Sequence, residues 1–114
     1  MLIASIVLFA IAALLGLTVL AKWLSRQEQV SRSVVYSHGA TAVIGLVLLV
    51  IFVLQEGVSG FAFPLILFGL AAILGLYIFF RDEFHDDQNI AMAIGHAIMA
   101  VGGLMMLLFY FVAQ

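Results

Sequence analysis

The chain has 114 residues, of which 67% are hydrophobic and only 9% are charged, whereas an ordinary soluble domain carries roughly 25% charged residues. A soluble fold of this size buries only part of its surface, so it could not hide so much apolar area. The composition therefore excludes a soluble monomer and indicates a membrane protein. The absence of cysteine excludes disulfides and thiolate sites, and the net charge of −2 gives no nucleic-acid-binding footprint.

Charged residues divide the chain into four apolar blocks, at 1–21, 33–55, 57–80 and 88–114. Each block reaches the roughly 20 residues that a helix needs to cross a hydrocarbon core about 30 Å thick. The blocks lack the strict alternation of a membrane β-barrel. We therefore predict four transmembrane helices near 2–23, 34–54, 62–80 and 90–112, with Pro64 in the first turn of the third helix.

The predicted fold is all-α: a polytopic four-helix, up-down-up-down bundle that forms a single transmembrane domain over 1–114. No basic residue precedes the first apolar block, as a signal peptide would require, so we expect that block to be a mature helix. Such a protein has the lipid bilayer as its surroundings.

All four basic residues lie on one side of the predicted bundle. Lys22, Arg26 and Arg32 flank the first connection, Arg81 begins the third, and the second connection, 55–60, has none. By the positive-inside rule the first and third connections are cytoplasmic and both termini are outside. We expect a multi-pass protein of the bacterial inner (plasma) membrane.

The chain also contains an internal repeat. Residues 8–17 (LFAIAALLGL) align with 67–76 (LFGLAAILGL) at an offset of 59, and 38–46 (HGATAVIGL) align with 96–104 (HAIMAVGGL) at an offset of 58. The sequence thus predicts a duplicated two-helix hairpin, with repeat 1 at 2–54 and repeat 2 at 62–112. A two-helix unit returns to its starting side, so the halves would be parallel repeats.

His38 and His96 are the only histidines within the predicted spans, at equivalent places in the two repeats. Ionisable groups in hydrocarbon are costly and normally face the bundle interior. Each histidine is followed at i+4 and i+7, on the same helix face, by small residues. We call these residues the small-residue tracks; they are Ala42 and Gly45 in the second helix, and Ala100 and Gly103 in the fourth.

One interpretation is that the tracks leave a flat space which the two histidines close from opposite sides. Imidazole is a standard axial ligand of haem iron, and the hairpin repeat loosely resembles small bacterial four-helix inner-membrane proteins and the four-helix membrane b-type cytochromes. That resemblance implies a haem b protein for one-electron transfer or haem sensing, with a quinone or membrane-protein partner. The predicted site comprises His38 and His96 as iron ligands, Ala42, Gly45, Ala100 and Gly103 as lining, and Lys22, Arg32 and Arg81 near the propionates.

The alternative interpretation is that the small residues only permit close helix packing, as they commonly do in membranes. The histidines would then hydrogen-bond between helices, and Gly16 and Gly75 would serve the same packing. The chain would be a non-catalytic scaffold or accessory subunit, able to form homo-oligomers. No enzyme motif is present, so we expect no catalysis by the chain itself.

Three other functions are less favoured. Zinc needs three or four ligands, and the spans offer two histidines without a carboxylate. The acidic third connection, 81–89, could bind a cation loosely but is typical of a solvated connector. The small multidrug exporters have a similar length, but they need an acidic residue in the first helix, and 1–21 contains none.

Overall fold

The computed structural model describes residues 1–25, 31–84 and 90–114, with the side chains of 82–84 left out. These residues form four long helices and no strand: α1 (Leu2–Leu24), α2 (Arg32–Glu56), α3 (Ala62–Phe84) and α4 (Ile90–Val112). All four are long and apolar enough to cross a membrane. The predicted all-α fold with four helices that could span a membrane is confirmed. Arg26 and the interior of the acidic connection, 85–89, lie outside the described residues.

The turn between α2 and α3 follows from two local sequence features. Gly57 ends α2 in the left-handed conformation (φ 63°), and its N–H donates to the Val53 carbonyl at 3.0 Å, which is the usual way a glycine closes a helix. A short 3-10 helix, Ser59–Phe61, leads directly into α3. Pro64 lies in the first turn of α3, where the N–H that it lacks has no intrahelical partner to lose.

The helices pack as two hairpins. In the first hairpin, Ser5 bonds to Gly45 and Ala12 bonds to His38, so the contacts run in opposite order along α1 and α2. In the second hairpin, the contacts between α3 and α4 follow the same antiparallel pattern. The hairpins meet where α1 packs on α4 and α2 packs on α3. The up-down-up-down order of the whole bundle stays a prediction.

Equivalent positions of the two halves have matching environments. Leu49 and Leu107, 58 residues apart, are both fully buried at 0% exposure. Phe9 and Phe68, 59 residues apart, stack on each other at the centre of the bundle, with ring centroids 3.7 Å apart and planes 5° apart. The core of the bundle is thus built from residues that occupy the same place in each hairpin.

The outward faces of the four helices are apolar. Large exposed hydrophobic side chains occur on every helix, among them Leu14, Val47, Ile73 and Phe109. The bundle measures 43 × 19 × 19 Å, so its long axis exceeds a hydrocarbon core of about 30 Å. In water these faces would be an aggregation hazard. In a bilayer they would contact the apolar chains of the lipids.

Candidate functional site: the paired histidines

His38 is held against α1 by one hydrogen bond and one close contact. Its Nδ1 lies 2.7 Å from the carbonyl oxygen of Ala12. A Cβ at Gly16 would lie 2.9 Å from Cε1 of the His38 ring, closer than real Cβ contacts come. The imidazole therefore occupies the space that a side chain at Gly16 would need.

The spacing of Ala12 and Gly16 explains why a backbone carbonyl is available to the ring. A residue four places further along a helix lies on the same face as the carbonyl. With Gly16 there, no side chain covers the Ala12 oxygen, and the Ala12 methyl is too small to do so. The second half repeats the arrangement with Ala71 and Gly75.

His96 makes the equivalent contacts with α3. Its Nδ1 lies 2.7 Å from the Ala71 carbonyl oxygen, and a Cβ at Gly75 would lie 2.8 Å from its Cε1. Because a carbonyl oxygen can only accept, Nδ1 is the donor in both bonds. Each neutral imidazole therefore carries its proton on Nδ1 and its lone pair on Nε2.

The two imidazoles lie close together inside the bundle, in an edge-on arrangement. Their ring centroids are 6.0 Å apart and their planes are 81° apart. Both rings are half-buried. The structure thus brings together the two histidines that the sequence placed in equivalent helices.

The small-residue tracks contain aromatic side chains from the neighbouring helices. A Cβ at Gly45 would lie 3.4 Å from the Phe9 ring, and a Cβ at Gly103 would lie 3.2 Å from the Phe68 ring. Both glycines are buried, and Ala42 and Ala100 are half-buried. Phe9 and Phe68 then stack on each other, so phenyl rings fill the space beside the glycine of each track.

The three basic residues predicted to accompany the site lie at helix ends. Lys22 is in the last turn of α1, and Arg32 is the exposed first residue of α2. Arg81, in the last turn of α3, donates from Nη1 to the Tyr77 hydroxyl at 3.0 Å, with its guanidinium 5.9 Å from the centroid of that ring. Within the described part of the chain, the hydrogen bonds of both histidine rings go to backbone carbonyls and not to these basic residues.

Sequence reasoning missed the groups that orient the histidines. Every residue has a backbone carbonyl, so the sequence does not show which carbonyl accepts a hydrogen bond. Phe9 and Phe68 lie in the internal repeat, but the repeat does not indicate that their rings pack beside the glycines. The pairs Ala12–Gly16 and Ala71–Gly75 were a usable signal, since two small residues four apart expose the backbone of a helix.

The described residues place no cluster of metal ligands around the histidine pair. No group of three or more His, Cys, Asp or Glu side chains capable of holding a metal occurs among the described residues. The carboxylates and His85 of the acidic connection lie outside the described side chains.

No protein family, curated protein or solved structure matches this chain at a significant level.

Proposed function

We propose that the chain is a non-catalytic membrane scaffold or accessory subunit whose two histidines fix the packing of the helices within each hairpin. The proposal is supported by the hydrogen bonds that the polar side chains inside the bundle form between helices. Ser5, His38 and His96 each donate to a backbone carbonyl of the neighbouring helix. Such bonds between membrane helices are worth about 0.6 kcal/mol each on average, so their value lies in fixing helix rotation as much as in stability.

A haem b function is supported by the donor atoms but not by the space around them. Two imidazoles with Nδ1 bonded to a carbonyl and Nε2 free are well oriented for an axial ligand role. A porphyrin, however, extends over more than one helical turn, and Phe9 lies only one turn from Ala12. The Phe9 and Phe68 rings stack with centroids 3.7 Å apart and lie against Gly45 and Gly103, in the space that the predicted porphyrin would need beside these glycines, so the packing does not favour a porphyrin there.

The visible spectrum of the purified protein tests the proposal. The full chain would be expressed with ample haem, purified in mild detergent and reduced with dithionite. We expect no Soret or α-band. A low-spin spectrum that disappears in both His38→Ala and His96→Ala would overturn the scaffold function in favour of haem ligation.

A matched pair of variants separates the packing role of the histidines from a ligand role. In His38→Asn the side-chain amide nitrogen takes the place of Nδ1 and can still donate to Ala12, whereas His38→Ala cannot. If packing is the role, the asparagine variant should assemble in the membrane like the unsubstituted chain, and the alanine variant should unfold more easily, by about 1 kcal/mol. Equal stability of the two variants would contradict a packing role.

A further inference from the structure

The hydrogen bonds of the two imidazoles leave one nitrogen on each ring unused. Within the described part of the chain, Nδ1 is the only ring nitrogen of His38 or of His96 that has a hydrogen-bond partner. The remaining Nε2 carries a lone pair in the neutral tautomer. Both rings are half-buried, and each is oriented by a hydrogen bond from Nδ1 to a backbone carbonyl. Metal-binding histidines are usually oriented by a hydrogen bond of this kind.

We propose that His38 and His96 form a two-coordinate site for a monovalent copper ion, bound between their Nε2 atoms. This site is independent of the scaffold function and uses no porphyrin. The ion arrives as Cu⁺ and stays Cu⁺, and neutral imidazoles release no proton on binding it.

The spacing of the rings suits a small ion. With each Nε2 turned toward the other ring, as the proposal requires, two metal bonds of about 2 Å would place the ring centroids roughly 6 Å apart. The observed separation is 6.0 Å. The angle of 81° between the ring planes is permitted, because a filled d shell imposes no preferred rotation about the metal–nitrogen bonds.

Charge and ligand number favour Cu⁺ over a divalent ion. The cost of placing an ion in a medium of low dielectric rises with the square of its charge, and neither imidazole is anionic to offset it. Zinc requires three or four ligands, whereas the described residues hold no group of three candidate ligands. A monovalent ion with a filled d shell accepts two ligands in line, and imidazole nitrogen is a good donor for copper.

Competition with a chromophoric Cu⁺ chelator tests the site on the full chain in mild detergent under ascorbate. We expect one Cu⁺ per chain to be withdrawn from the chelator. His38→Asn and His96→Asn keep a donor at the Nδ1 position but lack Nε2, and each should weaken the affinity at least about 10-fold. His85→Asn changes the one histidine outside the spans and is the matched control, with unchanged affinity expected.

A second measurement needs no variant. In the chain with isotope-labelled histidine, the nitrogen resonances of two Nε2 atoms should shift on Cu⁺ addition while both Nδ1–H signals persist. The proposal is overturned if no Cu⁺ is withdrawn from the chelator, if Zn²⁺ binds as tightly, or if both asparagine variants keep full affinity. It is also overturned if Met99→Leu, which removes a soft thioether three residues after His96, abolishes binding while His96→Asn does not.

Discussion

Gly16 lies so close to the imidazole of His38 that a Cβ on this glycine would come within 2.9 Å of Cε1. The contact is the structural basis of the histidine position, because the ring can reach the Ala12 carbonyl only where α1 has no side chain. In the second hairpin, a Cβ at Gly75 would likewise lie 2.8 Å from His96, so this position also requires a residue without a side chain.

Gly16→Ala should therefore destabilise the bundle. The added methyl must push the imidazole away from Ala12, and overpacking of this kind costs about 1–3 kcal/mol. Reversible unfolding in mixed SDS and mild-detergent micelles, followed by circular dichroism, measures the loss, and Gly75→Ala should give a similar value.

The control for these glycine variants is Gly39→Ala, which is adjacent to His38 in the chain. A Cβ at Gly39 meets nothing within 4 Å, so this variant should be neutral or slightly stabilising, since alanine has the higher helix propensity. Equal losses at Gly16 and Gly39 would show that helix propensity, not contact with the imidazole, governs the result.

Ser5 provides a separate test of interhelical hydrogen bonding. Its hydroxyl is fully buried and donates to the Gly45 carbonyl at 2.8 Å. Ser5→Ala should lower the free energy of unfolding by about 0.6 kcal/mol, the average for such bonds in membrane proteins. Ser33→Ala, at an exposed position of α2, should change it by less; a larger loss at Ser33 would refute the role assigned to Ser5.

The close contact of Phe9 with Phe68, with ring centroids 3.7 Å apart, should contribute to the stability of the bundle. Phe9→Leu keeps a large hydrophobic side chain but removes the aromatic pair, so we expect a loss of about 1 kcal/mol. Phe63→Leu, at a side chain that is 63% exposed, is the matched control and should be close to neutral in the same unfolding assay. If Phe9→Leu leaves the free energy of unfolding unchanged, the stacking of the two rings does not stabilise the bundle.

The orientation of the chain in the membrane is predicted from charge and has a direct measurement. A reporter fused after Gln114 should report the outer side, as should one fused after Gly57, whereas one inserted at Asp86 should report the cytoplasm. A cytoplasmic signal from the fusion after Gln114 would contradict the predicted topology.

The helix positions were predictable because crossing a bilayer is a local property of about 20 apolar residues. The structure extends three of the predicted helices: α1 by one residue to Leu24, α2 at both ends to Arg32–Glu56, and α3 to Phe84. Backbone hydrogen bonding continues into the interfacial region, where polar and charged side chains can reach water from a helix. The length of an apolar stretch therefore predicts the part of a helix that crosses the membrane, and not where the helix begins and ends.

The pairing of His38 with His96 was predictable from the repeat, but the use of the tracks was not. The sequence shows that Gly45 and Gly103 are small; it does not show whether a cofactor or a neighbouring side chain fills the space beside them. Phe9 and Phe68 fill it because the rotation of α1 and α3 turns both rings to the centre of the bundle.

By itself, the sequence of this protein determined the four apolar helices and the two equivalent histidines, and it predicts a membrane environment with the basic charge on one side, since each depends on residue type and position along the chain. Only the tertiary structure decided that Ala12 and Ala71 accept from the imidazoles, that the rings lie 6.0 Å apart, and that phenyl rings fill the tracks. Those relationships depend on how each helix is rotated about its axis, and in lipid that rotation is set by side-chain packing between helices, because no hydrophobic effect distinguishes one apolar face from another.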